Sequence, residues 1–123
     1  MSTRKKPGHE TPAEIPLTPA VFNILLCLVD GEKHGYAIMQ EIASRTNGRL
    51  RIGPGTLYGC IQRMIAVDLI EENADDDPEQ GHSKRRGYYR ITRNGRQVAA
   101  SEAQRLSELV YLAERLRLIP RTS

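Results

Sequence analysis

Gln62 and Arg63, with Thr56 and Tyr58 shortly before them, have the types and spacing in this 123-residue chain that best suit binding chemistry. All four lie in RIGPGTLYGCIQRM, Arg51 to Met64. A Gln amide donates and accepts, and an Arg guanidinium is a planar fork of donors, so the pair suits nucleobase edges. The hydroxyls of Thr56 and Tyr58 suit phosphate oxygens. Further along stand Lys84, Arg85, Arg86, Arg90, Arg93 and Arg96, with no acid among them. Positive charge at that density suits a phosphate backbone; a solvated charged loop is the alternative. The net charge of +3 and a pI near 9.1 add only weak support.

Other chemistries find no residues to carry them. There is no Ser/His/Asp set and no paired carboxylate in a plausible context, so no catalytic residue is expected and the chain does not read as an enzyme. GPGTLYG is not a nucleotide loop, because no Lys-Ser/Thr follows its glycines. His9, His34 and His82 show no ligand spacing with Cys27 and Cys60, so neither a metal nor a cofactor is expected. Each cysteine sits in an apolar run and reads as a buried free thiol. No apolar run approaches the ~18 residues of a membrane span, and no apolar stretch follows the basic N-terminal residues. The expected compartment is the cytoplasm.

The elements that must position the binding residues follow from pattern. Residues 1–16, with three prolines and Arg4, Lys5 and Lys6, read as a flexible arm. Thr18-Pro19 opens a first helix with Val21, Phe22, Leu25, Leu26, Leu28 and Val29 on its apolar face, and Asp30-Gly31 ends it. A second runs from about Gly35 to Ser44, with Ile38, Met39 and Ile42 inward, and Asn47-Gly48 stops it. Leu50 and Ile52 alternate with arginines in a short extended piece. A third helix starts near Pro54 and runs to about Val67. Leu69–Asn73 and Gly87–Thr92 read as two strands joined by a long charged loop, with Tyr89 and Ile91 on one face. Thr92 caps a last helix through about Ile119. With no Trp and one Phe, the core is aliphatic.

The third helix has a puzzle at its start: Gly53, Pro54, Gly55 and Gly59, where better helix formers would be expected. At ~100° per residue, Leu57, Ile61, Met64 and Ile65 share one arc, with Cys60 and Tyr58 at its edges. Gly55, Gly59, Gln62 and Ala66 fall opposite, flanked by Thr56 and Arg63. The outward face is thus bare at its beginning and polar further on. A helix that enters the B-DNA major groove by its first turns needs such a face. The competing reading is that the glycines allow close packing against the segment before them.

Three helices and then a hairpin is the order of a winged helix-turn-helix. The expected fold is therefore mainly α with a small β-hairpin (α+β): an arm over 1–16, a winged helix-turn-helix domain over 17–92 and a C-terminal dimerisation helix over 93–119. HGYAIMQEIA at 34–43, GPGTLYGCIQRM at 53–64 and RRGYYRITRNGR at 85–96 resemble the PadR family of bacterial transcriptional regulators. The resemblance runs from about Leu17 to Arg96 and implies a dimeric winged-helix protein that binds double-stranded DNA, usually as a repressor. It implies phosphate-contacting roles for Tyr36, Thr56 and Tyr58, and a place on the wing for Lys84, Arg85 and Arg86. Tyr36 has a second reading, packing the second helix against the third. The chain departs from the family in having Asp68 where glycine is common, and in the acidic stretch Asp75 to Glu79, which phosphate would repel.

In the last helix Leu106, Leu109, Ala113 and Leu116 repeat in steps of three and four, as in a coiled-coil seam; Leu112 and Ile119 widen the stripe and Glu102 sits one turn before it. A second copy is the simplest partner, with Phe22 of the first helix as a further contact; folding back on its own domain is the alternative. Two copies place two recognition helices roughly 34–36 Å apart, so the expected target is a near-palindromic operator. Two other functions stay open: a sensor that releases DNA on binding a small phenolic or drug-like effector, and a winged-helix protein-interaction module without DNA binding.

Overall fold

The structure is a computed structural model and describes residues 17–73 and 87–120. Four helices and three short strands alternate along it: α1 (Pro19–Leu28), β1 (Lys33–His34), α2 (Gly35–Arg45), α3 (Pro54–Ala66), β2 (Ile70–Glu72), β3 (Tyr88–Ile91) and α4 (Arg93–Arg115). This is the α+β winged-helix arrangement expected. The arm over 1–16, the acidic stretch Asp75–Glu79 and the basic residues Lys84, Arg85 and Arg86 lie outside the described residues.

Side-chain caps begin three of the helices. Thr18 Oγ1 accepts from Val21 N at 3.2 Å, and Thr92 Oγ1 accepts from Gly95 N at 2.9 Å. Each satisfies a donor that the helix itself leaves open. The third cap is His34, whose Nδ1 accepts from Tyr36 N at 3.2 Å. Helix ends share a device too: Asn47, Asp68 and Arg117, none of them glycine, all take positive φ (54°, 64° and 66°). At each, an amide two residues past the cap reaches back into the last turn: Gly48 N to Ala43 O, Leu69 N to Met64 O and Leu118 N to Ala113 O. The last of these stops α4 at Arg115, short of the expected Ile119. The turn at Asp68 is therefore left-handed, a geometry that glycine adopts most readily. Asp68→Gly should raise stability by up to about 1 kcal/mol, read by thermal melting, because an L-residue is strained there. A drop would mean that the carboxylate itself holds the turn.

The hairpin is one strand larger than expected. β1 joins the sheet in the order β1-β3-β2, all antiparallel, with Lys33 opposite Tyr89 and His34 opposite Tyr88. On the other edge Ile70 faces Ile91 and Glu71 faces Arg90. Leu50–Ile52 forms no strand, and Leu50 and Ile52 serve the core as an irregular segment.

The core is aliphatic. Ile24, Leu25 and Leu28 of α1 meet Ile38 and Ile42 of α2, Leu57, Ile61 and Met64 of α3, Leu69 just before β2, and Ile70 and Ile91 of the sheet. α1 buries Ile24, outside the expected stripe, while Leu26 and Val29 stay exposed. Cys27 and Cys60 are buried free thiols. Burial, then the charge of Glu41, pushes the Cys27 thiol up to about 11, so it stays protonated at neutral pH. Among the described residues no helix is long and apolar enough to cross a membrane.

Candidate nucleic-acid interface

α3 is oriented as its wheel requires. Leu57, Cys60, Ile61 and Met64 are buried, whereas Gly55, Thr56, Gln62, Arg63 and Ala66 are exposed and Gly59 is half-buried. A Cβ built at Gly55 would meet nothing within 4 Å, and one at Gly59 would meet only Arg63 Nη1, at 3.6 Å. Close packing against the described residues therefore does not explain these two glycines. They leave a bare strip on an open face, next to Thr56 and ahead of Gln62 and Arg63. Gly53 caps the helix without a side-chain bond, so the first amides of α3 point outward with no side-chain cap. Arg63 folds back along its own helix, with Nη2 3.6 Å from Cys60 Sγ.

The motifs around His34 and Tyr58 meet in space. Tyr58 lays its ring over the first turn of α2: a Cβ at Gly35 would sit 2.5 Å from Tyr58 Oη and 3.0 Å from Cζ. Glycine at 35 is what lets that hydroxyl lie against the first turn of α2. Tyr36 itself is 59 % exposed, so it does not pack α2 on α3; its hydroxyl accepts from Gln40 Nε2 at 3.1 Å. A phenol oxygen that accepts one bond keeps its own proton to give outward. His34 does two tasks that pattern reading misses, because histidine is not a usual cap: it caps the start of α2 and stands edge-on to Tyr88 with ring centroids 5.2 Å apart. Gly87, at φ +86°, passes His34 so closely that a Cβ would lie 2.9 Å from Nε2, and its carbonyl accepts from Gly35 N at 3.1 Å. The root of the wing is thus fastened to the start of α2. Tyr89 fills the hairpin core, and burial raises its phenol above the usual range.

The basic run is less free than its spelling implies. Arg90 Nε pairs with Glu71 Oε2 across the sheet at 2.7 Å, and Arg96 Nη2 donates to Val29 O at 2.8 Å, tying α4 to the end of α1. Both act within the fold. Arg93 is exposed, as are Arg49 and Arg51 between α2 and α3. Among the described residues no group of three or more His, Cys, Asp and Glu side chains is placed to hold a metal ion.

α4 buries only Gly95 and Ala99. Beyond them Leu106 and Ala113 are half-buried, while Leu109 and Leu116 are 49 % and 61 % exposed; Val110, Tyr111, Leu112, Leu118 and Ile119 are exposed as well. Phe22 is half-buried against the core, with exposed Leu26 and Val29 on the same helix. Glu102, one turn before the seam, is held by Arg105 through a two-pronged bond of 2.6 and 2.9 Å. That bond lowers its carboxyl below the usual range. Among the described residues, the last helix therefore does not fold its seam back onto its own chain.

Comparison with known proteins agrees with this architecture. The family model described as the transcriptional regulator PadR-like family matches residues 24–101. A relative from Lysinibacillus sphaericus is 38 % identical over 87 residues, 71 % of each chain. A transcriptional regulator from Clostridium thermocellum superposes with a TM-score of 0.64 at 21 % identity, over 88 % of this chain and 95 % of its own. A PadR family transcription regulator from Clostridium difficile does so with the same TM-score and identity, over 80 % and 98 %.

Proposed function

The chain belongs to the PadR-like family of transcriptional regulators, and from that membership we propose a sequence-specific repressor that holds a near-palindromic operator as a homodimer. The observation that carries this reading is the open face of α3, stripped of bulk at Gly55 and Gly59 and polar at Thr56, Gln62 and Arg63. In this reading α3 enters the major groove by its first turns. Gln62 and Arg63 read base edges, Gln favouring adenine and Arg guanine. Thr56, Tyr58 and Tyr36 give hydroxyl protons to phosphates and fix the register. Lys84, Arg85 and Arg86 add charge on the wing. Its compartment is the cytoplasm, where such an operator is found.

The dimer reading is supported by the uncovered seam of α4. An apolar stripe of this kind on a helix held to its own domain only by its first turns is what a second copy covers. Leu106, Leu109, Ala113 and Leu116 form the seam, and Phe22 with its neighbours on α1 completes it. Leu109→Lys should give monomers by sedimentation without loss of helix content. Operator affinity should then fall by roughly 10²–10⁴-fold, because the second half-site no longer binds at high effective concentration. A dimer that survives the substitution would remove the seam.

The whole reading is tested by selecting bound duplexes from a random pool with the full chain and sequencing them. The expected result is one motif repeated with two-fold symmetry, its half-sites about 10–10.5 bp apart centre to centre. Recovery of unselected sequence would overturn it.

A further inference from the structure

The loop between α2 and α3 carries two arginines that no motif assigns. Arg49 and Arg51 are both exposed, and neither forms an ion pair among the described residues. Arg45, at the end of α2, by contrast pairs with Glu41. Arg51 has a prepared place. Its guanidinium lies across Gly48, where a Cβ would come within 3.3 Å of Nη2 and 3.7 Å of Nε. Gly48 is at φ +78°, in the left-handed turn that ends α2. One glycine thus makes both the turn and the space for the cation. Arg49 lines an open groove of about 540 Å³ at the same turn, together with Asn23, Arg45 and Asn47 and the apolar Pro19 and Leu50.

Distance decides what these cations face if α3 occupies a groove. Arg51 precedes Pro54, the first residue of α3, by three residues of non-helical chain. Such a stretch spans at most about 10 Å. The major groove is about 12 Å wide, so the loop leading into it lies against its phosphate wall. Resting on the DNA-binding reading above, we propose that Arg49 and Arg51 form a clamp on the sugar-phosphate backbone beside α3. They add affinity without sequence preference, and Gly48 preorganises Arg51 for the contact. Base reading stays with Gln62 and Arg63.

The test uses the full chain, its selected operator and a random-sequence duplex of equal length, with binding measured across a salt series. Each phosphate contact contributes about 0.9 to the slope of log K against log salt. R49Q and R51Q should each lower that slope by about 1.8, because the homodimer loses one contact in each protomer. At 0.15 M salt each should weaken binding roughly thirtyfold, by the same factor on both duplexes, and R51K should keep the wild-type slope. If wild type binds and the R49Q and R51Q slopes equal its own, the clamp is refuted while the function stands. A loss confined to the operator would make these residues base readers and refute it too. If wild type binds neither duplex, the function above fails and the clamp with it.

Discussion

Gly59→Leu should melt higher than the wild-type protein and yet fail to hold its operator. The two effects come from the same empty space. A Cβ at residue 59 would meet only the far end of Arg63, at an ordinary 3.6 Å, so the fold accommodates a side chain there. Glycine inside a helix costs roughly 0.5–1 kcal/mol relative to a good helix former. Leucine recovers most of that, and a melting point a few degrees higher is expected for a domain of this size. On DNA the balance reverses. A helix with its side chains is about 10–12 Å across, and the major groove is about 12 Å wide, so α3 fills it without the added leucine. Lifting α3 away removes the contacts of Gln62 and Arg63 together. At roughly 1–3 kcal/mol for each good base contact, the loss is about 2–6 kcal/mol per half-site, or at least ~30-fold. The measurement is a pair of curves, a thermal melt and a binding titration. Unchanged operator affinity would show that the bare strip of α3 does not face DNA.

What could be read from the spelling of this chain was periodic or local. The buried and open arcs of α3 follow from apolar spacing, and Thr18, Thr92 and Asn47-Gly48 mark helix ends by their own chemistry. What escaped depends on residues distant in sequence. β1 is two residues long, too short for alternation, and exists because β3 offers an edge to Lys33 and His34. Ile24 escaped because α1 is apolar nearly all round, so its wheel does not single out a buried face. Arg96 reads as a free cation until Val29 O, 67 residues away, is found beneath it. α4 ends early because Arg117 adopts the left-handed turn that a sequence reader reserves for glycine or asparagine. At the interface, the orientation of α3 was legible, whereas the placement of Tyr58 over Gly35 was not, since neither motif names the other.

Gly95→Ala should do the opposite of the usual glycine-to-alanine change in a helix. By propensity alone the substitution adds about 1 kcal/mol. Here the new methyl group would lie far inside contact distance of Leu69 O, 2.8 Å from Ile91 Cγ1 and 3.1 Å from Leu69 C. The obstacle is backbone, and that backbone is held from both sides. Leu69 N donates to Met64 O at 2.9 Å, closing α3, and Leu69 O accepts from Thr92 N and Thr92 Oγ1, each at 3.1 Å. Thr92 is also the cap of α4 through Gly95 N. To admit one methyl group, α4 must move away from Leu69, and the cap and at least one of these bonds loosen with it. Overpacking costs about 1–3 kcal/mol, a cap about 1 and a hydrogen bond about 0.5–1.5. After the propensity gain, a net loss of about 2–4 kcal/mol is expected, against a total stability of about 5–15. A thermal melt should show a drop on the order of 10 °C. Gly55→Ala, where a Cβ meets nothing, should rise in the same experiment. If Gly95→Ala melts at or above wild type, α4 is not seated on the carbonyl of Leu69, and the placement of the seam that α4 carries relative to α3 would need to be redrawn.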